Sequence, residues 1–271
     1  MRPALPRLFS LLLGLLAMVV GAPSWAQQDI GETSAVKNKV TGTIGENVRR
    51  LDVADHVFQD EWIETAVESA TEIVFLDETT MTFGPEARVK LDTFVFDPDP
   101  ALGKVVIEVT QGLFRLATGI MHDSAYEIRT PTATIAVRGT ELDIYVDPET
   151  LYTEIVLIDG TVLVTGCPNR TADEPCTGKT QVLDTPGTSV IVSGFDGTVS
   201  APDVPSAAIE ALIDELDELI VAALVEQLET AAGGETVESE PPPPPPPAPS
   251  VTSEPSETAE NPSTTSASPS G

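Results

Sequence analysis

Through the middle of the chain, apolar and polar residues alternate with the period of β-strands, not helices. Ala87, Val89 and Leu91 face one way while Arg88, Lys90 and Asp92 face the other, which predicts a half-exposed strand. Ile73, Val74, Phe75 and Leu76 are apolar on both faces and predict a strand covered on both sides, turning at Asp77-Glu78 into Thr80–Phe83. Further strands are expected at Lys104–Thr110 and Leu113–Thr118, joined around Gly112, and at Tyr126–Arg129, Gln181–Leu183 and Ser189–Val192. Tyr152–Ile158 and Thr161–Thr165 read as a hairpin closed by Asp159-Gly160, a pair that favours a two-residue type I′ turn. Phe195-Asp196-Gly197-Thr198 suggests one more. Val40–Leu51 is ambiguous because Gly42 and Gly45 break its pattern, and Asp52–Glu68 is open between a loop and a loop with one helical turn. The expected fold is all-β: about ten short, mostly antiparallel strands over residues 40–200, in a sandwich, a barrel or a short β-solenoid.

Thr130–Val146 is the organising stretch. Ala133, Ile135 and Val137 form one apolar face, but after Gly139 the apolar set becomes Leu142, Ile144 and Val146. A strand has side-chain period two, so this odd-to-even switch demands an extra residue, and Gly139 tolerates the backbone of a bulge. Pro131 precedes the apolar run, where its missing N–H removes no central ladder bond. Arg138 stands beside the expected bulge. It is either an exposed or internally ion-paired residue, or a partner contact re-aimed by the bulge.

The periodicity changes after Pro205. Ile209, Leu212, Ile213, Leu216, Leu219, Ile220, Ala223, Leu224 and Leu228 recur at three- and four-residue steps, with Glu210, Asp214, Glu215, Asp217 and Glu218 between them. This predicts an amphipathic helix over 206–232, with Ser206 as N-cap and Gly233-Gly234 as its stop. Its stripe must either dock on the β domain or pair with another copy, so a homodimer through 206–232 is one expectation. Residues 235–271 are rich in Pro, Ser, Thr and Glu, include the proline run Pro241–Pro247, and are expected to be disordered.

At the other end, Arg2 and Arg7, the apolar run Leu8–Ala22 and Ser24-Trp25-Ala26 have the layout of a cleavable signal peptide over 1–26. A flexible leader is expected over 27–39. Export to the periplasm or beyond follows, with no stable membrane span after cleavage. Removal of 1–26 leaves 12 Lys and Arg against 43 Asp and Glu, a net charge of −31. Such a surface repels nucleic acid. Cys167 and Cys176 flank a turn-rich loop, and in an oxidising compartment they are expected to form a structural disulfide.

Catalytic chemistry has no visible carrier. His56 and His122 each neighbour an aspartate, but neither belongs to a metal or nucleophile motif. Carboxylates are too numerous for any pair to be singled out for acid–base work. No cofactor, metal ligand or catalytic residue is assigned.

Three ordered motifs carry a family resemblance. Phe75–Pro85 with its Asp-x-Thr turn, Gln111-Gly112-Leu113-Phe114-Arg115-Leu116, and Thr130-Pro131 followed by Ala133-Thr134-Ile135 and Val137-Arg138-Gly139-Thr140 resemble the signature of FecR domains. Leu142 stands where the family usually has phenylalanine. The resemblance implies an all-β, extracytoplasmic, non-enzymatic domain, acting as a binding or scaffolding module on an envelope protein or ligand still to be identified. FecR regulators proper signal to a sigma factor and a transporter. That alternative is disfavoured here because only seven residues precede the apolar segment.

Overall fold

The computed structural model describes residues 27–95, 103–121, 126–168, 176–194 and 196–233. The expected signal peptide, the Pro-rich tail and His122 lie outside them. The strands in chain order are β1 (Asp29–Lys37), β2 (Val40–Ile44), β3 (Asn47–Arg50), β4 (His56–Phe58), β5 (Trp62–Thr65), β6 (Ala70–Phe75), β7 (Thr80–Phe83), β8 (Arg88–Val95), β9 (Lys104–Ala117), β10 (Tyr126–Arg129), β11 (Ala133–Val146), β12 (Thr153–Gly166), β13 (Thr180–Leu183), β14 (Ser189–Ser193) and β15 (Thr198–Val199), and the helix is α1 (Ala207–Gly233). All fifteen described strands hydrogen-bond into one branched, open sheet, whose longest path runs β15-β14-β12-β11-β10-β9-β7-β6-β1-β4. Among the described ladders only β9–β10 is parallel. One apolar core runs from Ile30 of β1 to Val199 of β15.

The sheet bends at three glycines. β9, β11 and β12 are each 14 residues long, and each carries one glycine with positive φ: Gly112 at 96°, Gly139 at 55° and Gly160 at 93°. All three strands exchange a neighbour across the bend, β12 passing from β14 before Gly160 to β13 after it. β9 pairs with β8 and β10 before Gly112, and with β7 and β11 after it. β11 pairs with β10 up to Ala136 and with β9 from Glu141. A bulge adds twist and bends its strand, so three of them let a single sheet coil around one core.

The expected phase slip is present. The register of β11 on β12 shifts between Arg138 and Glu141, and burial passes from Ala133, Ile135 and Val137 to Leu142, Ile144 and Val146. The expected hairpin at Asp159-Gly160 is not. β12 continues unbroken through this pair, and Gly160 forms a second bulge facing Gly139. A Cβ on Gly160 would lie 2.2 Å from the Gly139 carbonyl oxygen. The positive φ that suits a type I′ turn equally suits a bulge, and the continuous partner strand β11 selects the bulge. Likewise Lys104–Thr110 and Leu113–Thr118 are one strand bent at Gly112, not two. The hairpin expected around Phe195–Thr198 is formed by β14 and β15.

Residues 27–39 are not a flexible leader. β1 fills 29–37 and pairs on both sides, with β4 and β6. Ile30, Thr33 and Ala35 are buried. Small and polar inward residues gave a weak strand signal, and two flanking ladders outweigh it. The open stretch Asp52–Glu68 forms β4 and β5, with no helical turn.

Helix α1 packs on the sheet. Ile209, Leu216 and Ala223, spaced by sevens, are buried, and Ile209 and Leu216 cluster with Ala70, Leu113 and Val156. Leu212, Ile213, Leu219 and Ile220 flank them, half-buried. Full burial of Ile209 and Leu216 contributes about 1.5–3 kcal/mol each before entropy. Leu224 and Leu228, expected in the same stripe, instead face solvent.

Candidate functional site

Most of the motif residues lock the backbone, at several separate points of the sheet. Thr130 closes the β10–β11 turn: its Oγ1 accepts from the Thr132 and Ala133 N–H groups at 3.3 and 3.0 Å. Pro131 lies inside that turn, before the ladder begins. Thr140 is buried in the bulge. Its Oγ1 accepts from the Arg138 N–H at 3.0 Å and donates to the Thr161 carbonyl at 2.9 Å, while its N–H donates to Thr118 Oγ1 at 2.9 Å. One hydroxyl therefore ties the bulge of β11 to β12, and the backbone ties it to the end of β9. Arg138, the last residue in register before the bulge, has an exposed side chain on the same face of β11 as Ala136.

The turn of the first motif holds a buried network. Asp77 accepts from Thr79 Oγ1 at 2.7 Å and from the Tyr126 hydroxyl at 2.6 Å, and the Gly119 N–H donates to Thr79 Oγ1 at 3.0 Å. Burial, reinforced by the Asp77 carboxylate, pushes the Tyr126 phenol up to about 12, so it remains a donor at neutral pH.

Arg115, from the second motif, clamps the helix. Its Nε and Nη2 hold the buried Asp143 carboxylate at 2.8 and 3.1 Å, and Nη1 reaches Asp217 of α1 at 2.6 Å. Burial would lower the guanidinium's pKa, but the two carboxylates outweigh it and hold the group charged. Burial pushes the Asp143 carboxyl up, against the pull of Arg115.

Two more buried carboxylates escaped the sequence reading. Glu154 accepts from Tyr152 OH (2.7 Å), Ser189 Oγ (3.0 Å), Ser206 N–H (2.9 Å) and Ser206 Oγ (2.7 Å). Burial acts to raise its pKa, yet these donors, Ser206 foremost, hold it below the usual carboxylate value. Ser206 in turn caps α1 by accepting the Ile209 N–H at 3.3 Å. Glu61 takes a bidentate hold from Arg49, both bonds at 3.1 Å, and the Phe58 N–H at 2.9 Å; burial pushes its carboxyl up. Ser189 and Ser206 lie 35 and 52 residues from Glu154, and Arg49 lies 12 from Glu61, so no local pattern marks these contacts.

Cys167 and Cys176 lie at disulfide distance, with Cα atoms 4.5 Å apart. His56 is exposed beside Asp29, 2.9 Å away. Among the described residues, no group of three His, Cys, Asp or Glu side chains is placed to hold a metal. No described helix is long and apolar enough to cross a membrane.

No curated protein matches this sequence. Two crystal structures of a Parabacteroides distasonis protein, provisionally described as an anti-sigma factor, are similar: each is 17% identical, with a TM-score of 0.41 over 54% of this chain. The chain spans 60% of the length of those solved chains. Residues 61–163, which contain all three motifs, match the family model described as FecR protein.

Proposed function

We propose that this protein is an exported, non-enzymatic FecR-domain module that binds or scaffolds another component of the bacterial cell envelope. The observation that carries this reading is the commitment of its buried carboxylates. Glu61, Asp77, Asp143 and Glu154 each accept two or more hydrogen bonds from their own fold. A general acid or base needs a proton position within hydrogen-bond reach of substrate, and these groups spend theirs on holding strands and helix together. The cysteine pair supports an oxidising compartment, as does the leader read from the sequence. The net charge of −29 disfavours nucleic acid as a partner. Arg138, exposed beside a threonine-locked bulge, is the candidate contact.

The test is a photo-crosslinking residue at position 138 in cells producing the full chain, followed by fractionation. The expected result is adduct formation in the periplasmic or extracellular fraction, on protein beginning at Gln27. Protein retained in the cytoplasm, or the absence of adducts when position 138 is probed in the envelope, overturns the proposal.

A further inference from the structure

Helix α1 has a second apolar stripe that the sheet does not cover. Val221, Leu224, Val225 and Leu228 remain 59, 41, 47 and 70% exposed. Their spacing of i, i+3, i+4 and i+7 puts them on one face of the helix. That face is turned away from the one holding Ile209 and Leu216 against β6, β9 and β12. Followed back towards the N-terminus, the outward face reads Leu228, Leu224, Val221, Asp217, Asp214, Glu210, at alternating four- and three-residue steps. It is therefore a heptad seam, apolar in its C-terminal half and acidic in its N-terminal half.

We propose that this seam is an interface with a second copy of the same chain, formed by antiparallel packing of two α1 helices about a two-fold axis between Leu224 and Val225. The apolar quartet is symmetric about that point: the axis sets Val221 against the partner copy's Leu228 and Leu224 against its Val225. An isologous contact requires such self-complementarity. The charge pattern selects the antiparallel direction. A parallel pair would stack Asp214, Asp217 and Glu218 on their own copies. The antiparallel pair moves Asp217 and Glu218 off their own copies, with Glu218 opposite Ala231, and Asp217 is already ion-paired at 2.6 Å with Arg115, which it shares with Asp143. The contact is small compared with the roughly 800 Å² per partner of a standard interface. Both copies are also strongly acidic, so the dimer is weak, concentration-dependent and strengthened by salt, which screens their repulsion.

The experiment is sedimentation equilibrium of the purified full-length protein as exported, at low and high NaCl. The expected result is a monomer–dimer equilibrium whose dissociation constant falls as salt is added. Leu224→Asp with Leu228→Asp should raise that constant at least about tenfold without moving the thermal midpoint, because both side chains face solvent. Val225→Cys should yield a disulfide-linked dimer on oxidation, whereas Glu215→Cys should not. A protein that stays monomeric at every concentration and salt overturns the proposal. So does a dimer indifferent to the double aspartate variant. Association that appears only with a cationic partner, and weakens with salt, reassigns the face to that partner and equally refutes the second-copy reading.

Discussion

The facing bulges at Gly139 and Gly160 make a quantitative prediction, because alanine should cost very different amounts at the two sites. Gly139 has φ of 55°, in the left-handed region that a non-glycine residue enters at about 1–2 kcal/mol. Gly160 has φ of 93°, where a side chain costs about 1–3 kcal/mol on backbone grounds. Its new Cβ would also lie 2.2 Å from the Gly139 oxygen and 2.8 Å from Thr140 Cα. Both are backbone atoms, so relief means parting the two bulges and straining the Thr140–Thr161 and Thr140–Thr118 hydrogen bonds. Overpacking of this kind adds about 1–3 kcal/mol. Gly160→Ala should therefore destabilise by about 2–6 kcal/mol, against about 1–2 kcal/mol for Gly139→Ala. With a urea m-value of about 2 kcal/mol/M, the midpoints should fall by about 1–3 M and about 0.5–1 M. Urea titration followed by circular dichroism reads both shifts. If Gly160→Ala moves the midpoint no further than Gly139→Ala, Gly160 does not oppose Gly139 and the paired-bulge account of the bend is wrong.

Docking of the helix predicts that Leu216→Ala costs about 2–5 kcal/mol while Leu228→Ala costs almost nothing, and equal thermal shifts would contradict the docked face. Glu154 has a folded-state pKa below its unfolded value, so its contribution is present above pH 4.5 and is lost as pH falls through the lower folded value. The first turn of α1 should lose hydrogen-exchange protection, measured against its intrinsic rate, on acidification, and Glu154→Gln should blunt that response. Tyr126 has a folded-state pKa raised from 10.0 to about 12, so its contribution is present below pH 10 and lost as pH rises through that interval. Tyr126→Phe should flatten the alkaline limb of the stability profile. Intact mass without reductant should show the Cys167–Cys176 link, and two free thiols in exported protein would count against it.

What the sequence determined by itself is what depends on local periodicity. The odd-to-even switch at Gly139 was legible because a strand's side chains alternate strictly, so a change of phase must be absorbed at one place. The helix was legible for the same kind of reason, as were its Ser206 cap and the turn at Asp77-Glu78. The tertiary structure decided wherever one local signal fits two partners. Asp159-Gly160 suits a tight turn and a bulge alike, and only the unbroken β11 beside it makes it a bulge. Residues 29–37 have too few apolar side chains to announce a strand, and their place between β4 and β6 makes them one. Nine apolar residues in α1 read as one stripe, yet the sheet covers only part of it and leaves Leu224 and Leu228 in water. The buried carboxylates were the least legible: Glu61 is held by Arg49, Asp143 by Arg115, and Glu154 by Ser189 and Ser206. A charge enters the core only where donors from distant segments meet it, and sequence periodicity carries no record of which distant segments meet.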